Sequence, residues 1–197
     1  MNIQRFDVGS ALTRAARLFS NKTAIIFEQN RISYAELNER VNRLANGLMT
    51  MGVKRGDKVA LLFYNCPQFT ESYYALVKIG AVVVPLNLRL AVPELIYEAN
   101  NSDCTMIIYS VDFSEVMSKL RPELSKVKSY ICHGEPCPND VINYERLIND
   151  SPSWEPKVDL QMQDGCDIFY TGGTTGLPKG AMLSHRNLVC NSRQGQA

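Results

Sequence analysis

Stretches with apolar residues three or four positions apart alternate along the chain with short, nearly continuous apolar runs. The first spacing indicates amphipathic helices. The clearest case starts at Ser33 and Glu36, whose S-x-x-E spacing is typical of a helix start, and Gly52 is suited to end it. Further helices are predicted in ALTRAARLFSN, PQFTESYYALVKIG, PELIYEANNS, YERLIN and FSEVMSKLRPEL, the last broken or bent at Pro122.

The continuous apolar runs indicate strands that are covered on both faces. They are KVALLFY, AVVVPLN, TMIIYS and KSYICH, while TAIIF and RIS flank the turn EQN as a short pair. Because these runs alternate with predicted helices, the sequence predicts an α/β fold, a largely parallel sheet flanked by helices with right-handed crossovers.

The pattern also divides the chain. Residues 1–148 are predicted to form an N-terminal α/β subdomain. Residues 149–164, NDSPSWEPKVDLQMQD, hold two prolines among polar residues and are interpreted as a linker. Residues 165–197 then begin the next subdomain, with a strand CDIFYT, a glycine-rich loop, a second strand GAMLSH and the start of a helix in RNLVCNSRQGQA.

Composition narrows the class of protein. Apolar residues make up 45% of the 197 residues, and the net charge is +1, so no nucleic-acid surface is expected. The start lacks the apolar core of a signal peptide, and no run is long enough to span a membrane; we therefore predict a cytoplasmic protein.

Six irregularly spaced cysteines argue against a disulfide framework. Cys132, His133 and Cys137 lack a second ligand pair, so no metal site is predicted.

The candidate chemistry lies in YTGGTTGLPKG, from Tyr170 to Gly180. Its glycines allow sharp turns and a close approach to a ligand, and successive N–H groups can bind an anion. Lys179 adds a positive charge suited to phosphate. The Walker A pattern, which needs glycine before the lysine and serine or threonine after it, does not match, because Pro178 precedes Lys179 and Gly180 follows it. A plain surface turn remains an alternative interpretation. The predicted phosphate-binding residues are Thr171, Gly172, Gly173, Thr174, Thr175, Gly176 and Lys179.

The longer stretch YTGGTTGLPKGAMLSHRNL resembles the signature loop of the adenylate-forming superfamily, whose usual form is Y-T-S-G-T/S-T-G-x-P-K-G. The sequence departs from it at Gly172, where serine is commoner and some fatty acyl-CoA synthetases carry glycine. Two earlier stretches, ISYAELNERVNRLANGLMTMGVKRGDKVALLFYNCPQF and ALVKIGAVVVPLNLRLAVPELIYEANNSD, resemble the family's N-terminal region. The resemblance therefore covers nearly the whole chain.

The resemblance implies the N-terminal part of the large domain of an ATP-dependent ligase. Such enzymes use ATP and Mg²⁺ to convert a carboxylic acid into an acyl-adenylate, and most then transfer the acyl group to coenzyme A. The loop residues would hold the β- and γ-phosphates. The family's adenine, ribose and C-terminal lysine motifs are not found, so the chain is expected to be an inactive fragment of an enzyme of lipid metabolism acting on a fatty acid. An aryl acid remains an alternative.

Three further features of the sequence allow other interpretations. As a non-catalytic structural or oligomerisation domain, the chain would associate through exposed apolar surface, for instance as a homodimer. His185, directly after the loop, is interpreted as structural rather than catalytic. Tyr73 and Tyr74 are interpreted as core packing rather than as a platform for a ligand.

Overall fold

The computed structural model describes residues 7–173 and 176–194. The helices are α1 (Val8–Leu18), α2 (Tyr34–Thr50), α3 (Pro67–Ile79), α4 (Val92–Asn101), α5 (Ser114–Leu120), α6 (Tyr144–Asn149) and α7 (His185–Gln194), with 3-10 turns at Val111–Phe113 and Arg121–Glu123. The strands are β1 (Thr23–Phe27), β2 (Asn30–Ser33), β3 (Lys58–Leu62), β4 (Val82–Pro85), β5 (Met106–Ser110), β6 (Ser129–His133), β7 (Ile142–Asn143), β8 (Gly165–Gly173) and β9 (Gly176–Ser184).

Within these ranges, seven strands form one sheet in the order β7-β6-β5-β3-β4-β8-β9. Neighbouring strands run parallel except for β8 and β9, which are antiparallel. The strands β1 and β2 form a separate antiparallel pair. The predicted α/β fold with a largely parallel sheet is therefore confirmed.

Helices cover both faces of the sheet. Along β3, Val59 and Leu61 pack in a core cluster with residues of α1, α2, α3 and α6. Ala60 and Leu62 pack in a second cluster with residues of α4 and α5. Successive side chains of a strand point to opposite faces, so a strand covered on both sides must be apolar at every position. This explains why the central strands appear in the sequence as continuous apolar runs.

The predicted helix boundaries follow local hydrogen bonding. The Ser33 N–H donates to Glu36 Oε2 at 2.8 Å, and the Glu36 N–H donates to Ser33 Oγ at 3.2 Å, which confirms the capping box of α2. Gly80 ends α3 with a φ of 77°, a conformation that favours glycine. Pro122 lies in the 3-10 turn directly after α5, so the predicted break is confirmed.

Residues 151–155 lie along α2 and are held there by its side chains. The amide of Asn42 donates to the carbonyl of Ser153 at 3.1 Å. The amide of Asn46 donates to the carbonyls of Pro152 and Trp154 at 2.8 and 2.9 Å. The chain that follows enters the main sheet as β8 beside β4. The division into an N-terminal subdomain, a linker and a second subdomain stays a prediction.

Two features of the described residues bear on the class of protein. No helix among them is both long and apolar enough to cross a membrane. All six cysteines have free thiols, and no group of three or more His, Cys, Asp or Glu side chains in the described ranges could hold a metal ion.

Candidate functional site

The glycine-rich motif lies in the two-stranded ribbon formed by β8 and β9. The ladder pairs Tyr170 with Gly180 and Thr171 with Lys179, and ends with Gly173 opposite Gly176. The sequence predicted an open loop between strands that stop near residue 171 and resume near residue 180. The strands extend farther because the two halves of the motif pair with each other and satisfy their backbone groups across the ribbon.

The predicted phosphate-binding residues lie at the far end of this ribbon. Thr171, Gly172 and Lys179 are exposed. The Thr171 hydroxyl donates to the carbonyl of Lys179 at 3.4 Å, so the two residues sit side by side across the ladder. Gly173 and Gly176 form the last pair before the tip. Thr174 and Thr175 lie outside the described residues. The ribbon thus brings a lysine, a threonine hydroxyl and a glycine backbone to one solvent-facing end.

Two glycines of the motif have opposite surroundings. A Cβ added at Gly180 would lie 2.9 Å from Ile168 Cγ2 and 3.1 Å from Tyr170 Cζ, so this position has no room for a side chain. A Cβ added at Gly172 would meet no atom of the described residues within 4 Å. Gly180 is therefore needed for packing within the ribbon, whereas Gly172 has space for the serine that is commoner in the motif.

One face of the ribbon is anchored to α4 through Tyr170. Its hydroxyl donates to Asn101 Oδ1 at 2.8 Å, and its ring meets Tyr97 edge-on, with 6.5 Å between ring centroids. Burial raises the pKa of Tyr170 to about 12, so the phenol keeps its proton and stays a donor. The first residue of the motif therefore acts as an anchor.

The opposite face is anchored to α3 through Asp167, a residue that the sequence analysis did not single out. Asp167 is fully buried, and Oδ2 accepts a hydrogen bond from the Tyr73 hydroxyl at 3.0 Å. The other oxygen, Oδ1, is buried without a hydrogen-bond partner in the described part of the chain. Burial raises the pKa of this carboxyl to about 6, although the hydrogen bonds from Tyr73 and Cys166 lower it. The available signal was a lone aspartate in the otherwise apolar strand CDIFYT.

The comparison with known families agrees with this fold and motif. The family model described as "AMP-binding enzyme" matches residues 12–196. The chain belongs to this AMP-binding enzyme family.

Several of its relatives within the AMP-binding family are CoA ligases by name. The chain is 36% identical over 184 residues to crotonobetaine/carnitine–CoA ligase of Escherichia coli strain K12 / DH10B, an alignment that covers 88% of this chain and 35% of the relative. The chain therefore spans about a third of the length of such curated relatives.

Solved structures of AMP-binding ligases share the fold. The anthranilate CoA ligase AuaEII, in complex with anthranoyl-AMP, superposes with a TM-score of 0.88 at 25% identity, covering 91% of this chain and 35% of that structure. A Mycobacterium tuberculosis fatty acyl CoA synthetase gives a TM-score of 0.81 at 29% identity, with the same coverage of 91% and 35%. These matches agree with the parallel sheet described above.

His185, which follows the motif of this AMP-binding chain, is buried rather than turned towards the ribbon's exposed end. The sequence placed it in a strand, but α7 begins at His185, and Ser184 caps this helix together with Asn187. His185 Nδ1 accepts from the Val8 N–H at 3.4 Å. A buried histidine between two helix starts fits the structural role that the sequence suggested.

The other interpreted side chains can also be placed. The rings of Tyr73 and Tyr74 pack edge to face, with 5.7 Å between centroids, against the core cluster beside α3. This confirms the packing interpretation. Cys132 is buried, and burial raises the pKa of its thiol to about 12, which disfavours the thiolate that a metal requires.

Proposed function

We propose that this chain is the N-terminal part of an ATP-dependent ligase that converts a carboxylic acid into an acyl-adenylate and then into an acyl-coenzyme A. The observation that supports this most directly is the exposed end of the ribbon, where Thr171, Gly172 and Lys179 stand together in a chain of the AMP-binding family. We propose that these residues, with Gly173, Thr174, Thr175 and Gly176, bind the β- and γ-phosphates of ATP.

In the proposed reaction, a carboxylate oxygen attacks the α-phosphorus and pyrophosphate leaves. Negative charge then gathers on the leaving phosphate oxygens, where fixed donors and a cation lower the barrier most. Lys179 would supply the positive charge, and the Thr171 hydroxyl and the glycine N–H groups would supply donors. Mg²⁺ bound with ATP would neutralise further phosphate charge. Because the chain covers about a third of its relatives, we propose that residues outside it provide the rest of the site and that the chain alone is inactive.

We propose a fatty acid as the substrate and coenzyme A as the acceptor, within fatty-acid metabolism in the cytoplasm. Gly172 supports this choice, since some fatty acyl-CoA synthetases carry glycine at that position, and so does the match to a fatty acyl CoA synthetase. The names of the other relatives include a carnitine ligase and an anthranilate ligase, so short polar acids and aryl acids are the alternatives.

Binding of pyrophosphate and of MgATP to the 197-residue chain tests the proposal first. Lys179→Ala should weaken pyrophosphate binding about 10- to 100-fold, because it removes a charge-assisted contact, and should leave thermal unfolding unchanged. The matched control is Lys119→Ala, which removes an exposed lysine of α5 that pairs with Glu115. Equal binding by Lys179→Ala and the control would contradict the assignment of the loop.

Exchange between ATP and pyrophosphate, dependent on an added carboxylic acid, then tests the reaction. We would compare the 197-residue chain with any longer form of the protein that contains it, using acids of increasing chain length, carnitine and aryl acids. Exchange in the longer form with fatty acids alone supports the proposed substrate. Exchange by the chain itself would contradict the proposal that essential residues lie elsewhere.

A second function, as an association domain, is favoured by one observation. Phe169, Leu177 and Met182 are 42, 64 and 56% exposed on the same ribbon. Exposed apolar side chains can mark a surface that another segment or molecule covers, and the register places Met182 on the face of Ile168 and Phe169 on the opposite face. Light scattering over a range of concentrations tests whether the chain forms a homodimer. If it does, replacing all three residues by serine should leave a monomer at the same concentrations.

A further inference from the structure

In the described ranges, one ladder pair joins the ribbon to the rest of the sheet. Among the described residues, the register between β4 and β8 contains a single pair, Val83 with Asp167. From Ile168 onward, β8 pairs only with β9 within the same ranges. The glycine-rich end therefore projects from the sheet, and its position depends on how firmly the ribbon is held at this root and at the Tyr170 anchor on α4.

Asp167 holds the root of the ribbon, its pair with Val83, through both its backbone and its side chain. Its backbone pairs with β4, while its carboxylate accepts the hydrogen bond from Tyr73 on α3. An irregularity in the ladder between Gly165 and Asp167 lets Cys166 approach the same phenol, with Sγ 3.9 Å from the Tyr73 oxygen. Such bulges commonly redirect a side chain. Here the bulge brings an acid and a thiol to one tyrosine.

The surroundings of the carboxyl are otherwise apolar. Val83 of β4 and Leu183 of β9 are its neighbours in register. The titratable groups that act on it are Tyr73 and Cys166. Two other titratable groups lie near these residues. The charge of Asp7, the residue before α1, raises the pKa of Cys166, and His185 at the start of α7 accepts a hydrogen bond from the N–H of Val8. In the part of the chain that the structure describes, no cation is among the groups that act on the Asp167 carboxyl.

We infer that Asp167 is a positioning residue for the proposed phosphate loop, and that protonation of its carboxyl determines how firmly the root of the ribbon is held. In the protonated form, a neutral group occupies the buried position. In the ionised form, Oδ1 is a buried anionic oxygen without a donor among the described residues, and opening of the root returns it to water. The part of this inference that concerns the loop rests on the proposed function; the part that concerns the root does not.

The direction of the pH effect follows from the pKa shift. The pKa of Asp167 is about 6 in the folded chain and about 4 when the carboxyl meets water. The stabilisation from the neutral acid is therefore fully present below about pH 4 and is lost as the pH rises through 6. If opening exposes the carboxyl, the open fraction of the root should rise about tenfold between pH 5 and pH 8.

Amide hydrogen exchange at pH 5 and pH 8, corrected for intrinsic rates, measures this opening without any ligand. We expect the wild type to lose protection in Ile168–Thr171 about tenfold at the higher pH. Asp167→Asn, an uncharged isostere, should show no such change. Tyr73→Phe should move the midpoint above pH 6, because the Tyr73 bond lowers the pKa of the carboxyl. An equal pH response in wild type and Asp167→Asn would overturn the inference.

Pyrophosphate titrations on the same proteins test the link to the loop. The ratio of wild-type to Asp167→Asn affinity is the quantity to follow, because the ionisation of pyrophosphate itself cancels in it. We expect a ratio near one at pH 5 and a several-fold weaker wild type at pH 8. A constant ratio would overturn the link. Absence of binding by both proteins at every pH would contradict the proposed function, and hydrogen exchange would still decide whether Asp167 controls the root.

Discussion

Replacing Gly180 with alanine tests whether packing within the ribbon determines its shape. The new Cβ would lie 2.9 Å from Ile168 Cγ2 and 3.1 Å from Tyr170 Cζ, closer than side-chain atoms normally approach. Neither neighbour can move easily. Ile168 is buried in the core cluster beside α4, and Tyr170 is tied to Asn101 by its hydroxyl. The ribbon therefore has to shift, or the Tyr170 ring has to leave its place.

The expected cost comes from two contributions. Forcing an extra carbon into a packed site costs about 1–3 kcal/mol. If the Tyr170 ring moves, the hydrogen bond to Asn101 is lost as well, at about 1 kcal/mol. We therefore expect Gly180→Ala to lower the free energy of unfolding by about 2–4 kcal/mol. Gly172→Ala is the matched control, since its Cβ meets no described residue within 4 Å, and its effect should stay within about 0.5 kcal/mol.

Urea unfolding followed by circular dichroism measures both variants. The midpoint of Gly180→Ala should fall while the slope stays that of the wild type, which shows that stability rather than compactness has changed. An unchanged midpoint for Gly180→Ala would refute the packing argument. A comparable loss in Gly172→Ala would instead show that the end of the ribbon is not open as described.

Three further predictions concern buried polar groups. Arg40→Met should lower the free energy of unfolding by about 3–5 kcal/mol in urea, because it leaves the buried carboxylate of Glu71 without the guanidinium that it contacts at 2.7 Å. Asn46→Ala removes two hydrogen bonds to the segment beside α2, and fluorescence anisotropy of Trp154, the one tryptophan of the sequence, should fall if that segment is released. Asp167→Asn should leave stability unchanged at pH 4 and raise it by at most about 3 kcal/mol at pH 7, as measured by urea unfolding at both pH values.

The fold was predictable because burial on both faces leaves a strong mark on sequence. The central strands β3, β4 and β5 are apolar at nearly every position, and each is followed by an amphipathic segment. The two-residue strand β7 was missed because two residues at the edge of a sheet carry no periodicity. The order of the strands could not be derived either, since it depends on contacts between segments far apart in the chain.

The motif alone was enough to find the candidate site, but the ladder pairs and buried contacts that hold it in place were not predicted from the sequence. Gly and Thr residues suggested an open loop, yet most of the motif forms ladder pairs, because β-pairing depends on the partner strand as much as on local preference. Asp167 and Tyr73 lie 94 positions apart, and no spacing rule joins them. The lone acid in an apolar strand was visible, but the register irregularity beside it and its burial could not be predicted from the sequence.

Two routes could link the charge of Asp167 to an anion at the end of the ribbon, and they differ in their response to salt. Asp167 and Thr171 are four residues apart along β8, a span of about 13 Å at the usual rise of a strand. This exceeds the Debye length of about 8 Å at physiological ionic strength, so a direct electrostatic effect through solvent is largely screened. Opening of the root exposes a carboxyl to water and is screened far less. We therefore expect the pH-dependent affinity ratio between wild type and Asp167→Asn to persist in added salt, and its disappearance would assign the link to the electric field rather than to the root.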